Sequence, residues 1–376
     1  MTLKRRKAYG VGIDGGNSDG KGAMVKGKRL VTMTLPSVST KGNMRALAQA
    51  RVADGSHVYE HPADVLEAEE YILSYQEPGK QKPTEEYFGK LAIRENPYLA
   101  SSGRGDPSRS WTGRLLKLCF VITGTLLQDQ EAELFLVTGL PTKTFADRTI
   151  KQVIESLAGD HTFFLNGRKR RFIIEPEHIR IVQEGASAAK ALAKPVKGFQ
   201  GTIDPGGYST EFFVINDMQV VASMCGGIEV GVENILDFVE SAYKDNYQID
   251  QGLTIQERLD ILKAWADPLL FTYPDILVDR IPVPSSLLKS WIDDGVNHVG
   301  GQINEILRQR WKHGEQGKVA TTFKQINIIG GGAWYLKRKI EEIIPNLYRP
   351  EKPELRNVMS YALLARQLEE KALAPL

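Results

Sequence analysis

The sequence predicts an α/β protein built from two similar halves, and three observations lead there. Val11-Gly-Ile-Asp-Gly-Gly-Asn-Ser18 and Gly201-Thr-Ile-Asp-Pro-Gly-Gly-Tyr208 share one design, an Ile-Asp at the end of an apolar strand with glycines directly after it. Strand-like runs alternate with helical ones in both halves, the pattern of layered α/β domains. A third glycine cluster, Gly330-Gly-Gly-Ala333, follows the apolar run Ile326 to Ile329.

In chain order, Tyr9 to Ile13 reads as a strand ending at Asp14, and Ala23-Met-Val25 and Leu30 to Leu35 resume the strand pattern behind a glycine-rich turn. Glycine and asparagine accept the positive φ of tight turns, so this is a hairpin signal. Residues 40–110 are polar, with Pro62, Pro78, Pro83 and Pro97, and read as an irregular inserted subdomain with a mobile stretch at Ser101 to Arg109. A helix from Trp111 to Gln128 leads to a buried strand, Glu133 to Val137, that ends at Thr138-Gly-Leu-Pro141. Phe145 to Leu157 has helical periodicity, and Glu184 opens a helix, EGASAAKALAK, that Pro195 closes. Helices follow over Ile228 to Tyr243 and Ile255 to Trp265, the second with Thr254 and Glu257 spaced as a capping box. A polar helical region covers Ser285 to Trp311, and Asn357 to Leu373 forms the last helix.

The bulk composition is that of a folded, water-soluble chain: 376 residues, 42% hydrophobic and 25% charged. Forty-eight Lys and Arg against 46 Asp and Glu, a formal charge of +2, lack the basic excess of a dedicated nucleic-acid binder. Cys119 and Cys225 stand far apart without metal-ligand spacing, which argues against a disulfide framework or a zinc site and fits a cytoplasmic setting. The basic opening MTLKRRK lacks the apolar core of a signal peptide, and Leu115 to Leu127, which carries Lys117, is too short to span a bilayer. Arg104-Gly-Asp106 reads as a polar loop, Arg168 to Arg171 as a solvated basic run near a surface turn with an adaptor or filament contact as the alternative, and Trp311 and Trp334 as packing residues.

The repeated turn carries the chemistry. A glycine-rich hairpin aims successive backbone N–H groups at an anion because no Cβ blocks the approach. An aspartate beside that turn repels bare phosphate, but becomes useful when a divalent cation or its water lies between them. Two such hairpins can grip the phosphates of one nucleotide from both sides. Gly15 to Lys21 also matches the P-loop spacing G-x-x-x-x-G-K, yet Gly22 stands where Ser or Thr holds magnesium, and a strand follows rather than a helix. A P-loop fold is therefore rejected, and Lys21 is kept as a phosphate-facing cation.

These residues resemble the motifs of the actin, Hsp70 and sugar-kinase superfamily, and most closely the bacterial actin-like plasmid-segregation proteins of the ParM type. The resemblance implies a duplicated, ribonuclease H-like ATPase fold with a nucleotide cleft between two similar halves. Domain I would comprise 1–180 plus 345–376, and domain II 181–344 with a helical subdomain at about 235–320. Asp14, Gly15, Gly16 and Asn17 resemble the first phosphate loop, with Lys21 behind it; Asp204, Gly206, Gly207 and Tyr208 resemble the second. Pro205, Tyr208 and Glu211 depart from the family pattern, which places an aspartate at the last of these positions. Glu184 resembles the residue that orients attacking water, Gly330, Gly331, Gly332 and Ala333 the adenosine loop, and Glu257 an acidic ribose contact. The second connecting helix would start at Asn357, with Ser360 where glycine is usual.

What the resemblance implies is ATP (or GTP) bound with Mg²⁺, the metal held by Asp14 and Asp204 through water, and catalysis by Glu184 together with both aspartates. It further implies nucleotide-dependent filaments of the chain with itself, a DNA-binding adaptor protein as partner for plasmid partition, and neither direct nucleic-acid nor membrane binding. A small-molecule kinase of the same superfold, or another actin-like scaffold, shares the nucleotide site. An Hsp70-like chaperone is disfavoured because no peptide-binding domain follows Leu376.

Overall fold

The computed structural model describes residues 7–16, 18–52, 66–77, 79–98, 113–127, 129–192, 197–311 and 317–374. Asn17, Pro62, Pro78, Pro195, the Ser101 to Arg109 stretch, and the Trp111 and Gln128 ends of the expected helix lie outside them. The chain divides into two compact units, one of Met1–Leu140, Thr144–Val182 and Val358–Leu376, the other of Pro141–Lys143 and Gln183–Asn357. Among the described residues no helix is long and apolar enough to cross a membrane.

The first unit opens with β1 (Ala8–Gly15), β2 (Asp19–Lys26), β3 (Arg29–Pro36), β4 (Ser39–Lys41), α1 (Met44–Val52), β5 (Glu70–Tyr75), β6 (Thr84–Gly89) and α2 (Lys90–Glu95). It continues with α3 (Gly113–Leu126), β7 (Glu131–Leu140), α4 (Asp147–Leu157), β8 (Gly159–Leu165), β9 (Arg168–Ile174) and β10 (Ile179–Gln183). The second contains α5 (Ala186–Leu192), β11 (Phe199–Pro205), β12 (Thr210–Asn216), β13 (Gln219–Val220), β14 (Gly226–Ile228), α6 (Val232–Tyr247) and α7 (Ile255–Ala266). Then come β15 (Leu277–Val278), β16 (Ile281–Pro282), α8 (Ser285–Arg310), β17 (Gln325–Ile328), α9 (Ala333–Glu341) and β18 (Leu347–Tyr348), and α10 (Arg356–Leu373) returns the chain to the first unit.

Both units are organised around the same motif. β1 pairs antiparallel with β2 and parallel with β7, placing Ile13 opposite Gly22 on one side and Thr138 on the other. β11 pairs antiparallel with β12 and parallel with β17, placing Ile203 opposite Phe212 and Ile328. The first sheet has ten strands in the order β3-β2-β1-β7-β9-β8-β5-β6-β4, with β10 on β7. The second has six, in the order β13-β12-β11-β17-β18, with β14 on β12.

In the first unit Val11 and Ile13 join a core with Leu115, Leu118 and Ile122 of α3. That helix buries ten of its fourteen residues, which explains a sequence apolar nearly all round. The alternate residues of β1 are glycines because α10 lies directly on the strand. A Cβ at Gly12 would fall 2.5 Å from the Ala362 nitrogen, and one at Gly10 would fall 2.6 Å from the Ala365 carbonyl carbon. The Gly10 N–H donates to Glu369 Oε2 at 2.9 Å, which ties helix to strand. In the second unit α6, α8 and α9 contribute to one core that ends in fully buried Trp311, whose indole N–H donates to the Met224 carbonyl at 2.9 Å.

Four features depart from the sequence expectations. The 40–110 region is not irregular throughout: β4 and β6 pair, β6 pairs with β5, and β5 joins β8 with Leu73 opposite Leu165, so these strands extend the first sheet. Their partner lies far along the chain, where local pattern cannot show it. Arg168 to Arg171 follows a turn with Asn166 at φ 50° and Gly167 at φ 74°, and Arg168 and Lys169 are exposed as expected, but the run also opens strand β9, which was not. The Asn-Gly pair flanked by Phe163-Phe164 and Phe172-Ile173 carries a hairpin signal that sequence reasoning missed. Helix α6 starts at Val232 rather than Ile228, because Gly226–Ile228 pairs with β12. Glu184 sits in a turn, not in a helix, because Gly185 takes φ 78° and α5 begins only at Ala186.

Replacing Gly12 with alanine forces a methyl group against the α10 backbone, which has no flexible end to yield. Gly12→Ala is expected to destabilise the first unit by about 3 kcal/mol, at the upper end of overpacking costs. A clear fall in the urea midpoint checks this, and an unchanged midpoint refutes the close approach.

Candidate functional site

The first unit presents the β1–β2 hairpin. Asp14, last but one in β1, lies directly opposite Lys21, and Gly15 faces Gly20. Directly opposed residues in an antiparallel pair project from the same face, so carboxylate and ammonium share one side of the hairpin. Asp14, Gly15, Gly16 and Lys21 are all half-buried, while Asn17 lies outside the described residues. Gly16 packs its backbone into the turn, where a Cβ would meet the Asp19 carbonyl at 2.5 Å.

The second unit brings four of the expected motifs to one carboxylate. Asp204 stands last but one in β11, ahead of buried Pro205, and is 6% exposed. Its Oδ2 accepts a hydrogen bond from the Asn357 side-chain amide at 2.6 Å. Gly330, at φ 76°, passes so close that a Cβ there would fall 2.3 Å from Asp204 Oδ1. Gly185 approaches the other oxygen, its Cβ position 3.5 Å from Oδ2, which brings the Glu184-Gly185 turn beside the carboxylate. Positive φ disfavours a side chain at both glycines, and at Gly330 the carboxylate itself leaves no room for one.

The loop after Asp204 is anchored from behind. The Gly206 N–H donates to the Ser209 carbonyl at 2.7 Å, and the first amides of α6, from Val232 and Glu233, donate to the Gly206 and Gly207 carbonyls at 3.0 and 2.7 Å. The Gly332 N–H holds the Pro205 carbonyl at 2.8 Å, joining this loop to the third glycine cluster. Helix α6 is itself fixed by Arg258 of α7, a nearly buried guanidinium that reaches Glu233, Asp237 and Glu240 at 3.2, 2.6 and 2.9 Å. Tyr208 is half-buried, and Gly331 has open space where a side chain would stand. Ala333 is fully buried in the core, so only its backbone faces the loop. Glu257 completes the capping box: its Oε2 accepts from the Thr254 N–H and hydroxyl at 2.6 and 2.8 Å.

Glu211 faces Asp204 across the hairpin, at the position Lys21 holds opposite Asp14. It is 3% exposed, and its Oε2 accepts from the Thr142 N–H at 3.3 Å. Burial and then the Asp204 charge push its carboxyl up to about 7, against the pull of the Thr142 hydrogen bond. Among the described residues no group of three or more His, Cys, Asp or Glu is arranged to hold a metal. The donors available are hard carboxylate oxygens with no soft ligand nearby, a set that suits a hydrated magnesium ion held by one or two carboxylates and phosphate oxygens.

Two units built on one hairpin-and-parallel-strand motif, each with an aspartate at the same register, define the actin-like fold. Residues 12–186 match the family model described as the N-terminal domain of actin-like proteins. ParM from a 15-stranded filament of Clostridium botulinum matches with a TM-score of 0.74 at 19% identity, over 96% of this chain and 99% of that one. An archaeal actin homolog matches at 0.69 and 20% identity, over 96% and 99%. Bacillus thuringiensis ParM with ATP matches at 0.63 and 13% identity, over 97% and 100%. At these identities the likeness is one of fold. No curated protein matches the sequence as a relative.

The sequence singles out Asp204, Glu184 and the Gly330 cluster, which the fold brings together, but does not show that Asn357 bonds Asp204, that Gly185 abuts it, or that Thr142 bonds Glu211. The residue types carry a signal for Gly185, a glycine just ahead of a helical pattern. For Asn357 and Thr142 no local signal exists, since each works on a partner distant in the chain.

In the folded chain the Glu211 carboxyl keeps its proton to about pH 7, whereas in the unfolded chain it loses it near the ordinary 4.5. The folded state therefore binds the extra proton between these values, and its stability falls as pH rises through that window. The loss is fully in force above pH 7 and amounts to roughly 3 kcal/mol. Glu211→Gln is expected to flatten the fall in urea midpoint of the nucleotide-free protein between pH 5 and pH 8. An equally steep fall in the variant places the titration elsewhere.

Proposed function

We propose that the chain is a Mg²⁺-dependent actin-like ATPase that polymerises into filaments with nucleotide and serves plasmid DNA segregation through a DNA-binding adaptor. The observation that supports this best is the repeated hairpin. Asp14 and Asp204 stand last but one in equivalent strands at equivalent register, and Asp204 is enclosed by the Glu184-Gly185 turn, the Gly330 cluster and Asn357. Relatives in fold include a ParM filament and a ParM bound to ATP. GTP shares the phosphate chemistry and is an alternative substrate.

Phosphoryl transfer to water depends on positioning and charge neutralisation more than on covalent chemistry. Backbone amides of Gly15, Gly16 and Asn17 in the first loop, and of Gly207 and Tyr208 in the second, would take the phosphate oxygens, with Lys21 as a further cation, while Gly206, whose N–H is bonded to the Ser209 carbonyl, shapes the second loop. Asp14 and Asp204 would hold the hydrated magnesium, which when bound offsets phosphate charge. Asn357 holds the Asp204 carboxylate in one orientation. Glu184, beside it on the Gly185 turn, would accept the proton of the attacking water. Gly330, Gly331, Gly332 and the Ala333 backbone would line the adenosine. The second oxygen of Glu257, left over from the capping box, would take a ribose hydroxyl.

Glu184→Ala is expected to bind ATP with unchanged affinity and to lower phosphate release by about 10² to 10⁴-fold, the usual worth of a positioned acid–base group. Paired binding and phosphate-release assays check this. Hydrolysis at the wild-type rate removes Glu184 from the chemistry, and an absence of magnesium-dependent ATP binding in the wild type overturns the proposed function itself.

A further inference from the structure

The short segment Pro141–Lys143 belongs to the second unit, and its middle residue, Thr142, joins two side chains of that unit. The Gln183 side-chain amide donates to the Thr142 hydroxyl at 2.8 Å. The Thr142 backbone N–H donates to Glu211 Oε2 at 3.3 Å, and its hydroxyl bonds the same carboxyl. A hydroxyl has one proton to donate. With the Gln183 amide as its donor, Thr142 directs that proton to Glu211, so the link runs in one order: amide, hydroxyl, carboxyl.

Both ends of the link are anchored. Glu211 is 3% exposed and faces Asp204 on β11 and Gly227 on β14. A Cβ at Gly227 would fall 2.3 Å from Glu211 Oε2, so the carboxyl is walled in on that side. At the other end, Gln183 is the last residue of β10 and stands directly before Glu184. Gly185 follows at φ 78°, and its carbonyl accepts the Ala189 N–H at 2.8 Å where α5 begins. The turn that carries Glu184 is therefore held by α5 on one side. Gly185 has no side chain, and the Gln183 amide holds the other side.

We propose that Thr142 is a positioning residue for Glu184: it ties Gln183 to the walled Glu211 carboxyl and so keeps the Glu184-Gly185 turn beside Asp204. The proposal rests on the ATPase reading above and adds to it a residue that acts only through its neighbours. Displacing a reacting group by about 1 Å costs up to about a hundredfold in rate. Binding of the phosphates by the glycine-loop amides does not pass through this link, so affinity and rate separate.

Three single variants and one double variant test it. Thr142→Val keeps the shape and removes the hydroxyl, Thr142→Ser keeps the hydroxyl, and Gln183→Met keeps the length and removes the amide. T142V and Q183M are each expected to lower phosphate release at saturating Mg-ATP by about ten- to a hundredfold. Their ATP dissociation constants are expected to stay within about twofold of wild type. T142S is expected to release phosphate within about twofold of the wild-type rate. T142V combined with Q183M is expected to be no slower than the slower single variant, because both remove one link. A wild-type rate in T142V, a T142S as slow as T142V, or losses that multiply in the double variant overturn the proposal. So does a joint loss of affinity and rate, which marks a merely structural role. Should T142V fail to fold, Q183M carries the same expectation, and a wild-type rate there is decisive. Wild-type protein that binds Mg-ATP without hydrolysing it overturns the ATPase reading, and the positioning role with it.

Discussion

The second unit depends on a carboxylate held where water cannot reach it freely. Asp204 is nearly buried at the end of β11, and a buried charge is costly unless hydrogen-bonded. Asn357 supplies the bond, and two glycine turns supply the room. Positive φ at Gly185 and Gly330 is what lets both backbones come within reach of the same two oxygens. Any side chain at Gly330 would collide with Asp204 Oδ1 itself, so the turn and the carboxylate are specified together.

The two hairpins share a register but not a charge. Asp14 faces Lys21, a neutral pair; Asp204 faces Glu211, two acids in a low-dielectric setting. The second pair avoids double ionisation by holding a proton on Glu211 toward neutral pH. One scaffold used twice thus yields a polar, half-exposed site in one unit and a buried acidic site in the other. The acidic site makes the approach of a cation more favourable than water alone would.

Behind the second hairpin, the α6 amides and the Arg258 ion cluster convert a glycine loop into a rigid one. The loop carbonyls are tied to α6, and α6 is tied through three carboxylates to a single guanidinium on α7. Such a cluster contributes little net stability relative to an apolar core, but breaking it leaves buried charge behind. It therefore fixes geometry more than it adds stability.

The sequence by itself determined the two Ile-Asp-glycine turns, the capping box at Thr254 and Glu257, the apolar helix α3 and the alternation of layers. Each of these is a local pattern, set by dihedral freedom, side-chain period or hydrogen bonds between neighbours in the chain. Tertiary structure alone decided that Glu70–Tyr75 and Thr84–Gly89 join the first sheet, that Asn357 bonds Asp204, and that burial raises the Glu211 carboxyl to about 7. Those outcomes depend on which distant segments become neighbours and on how much water their meeting removes. No window of sequence records either quantity.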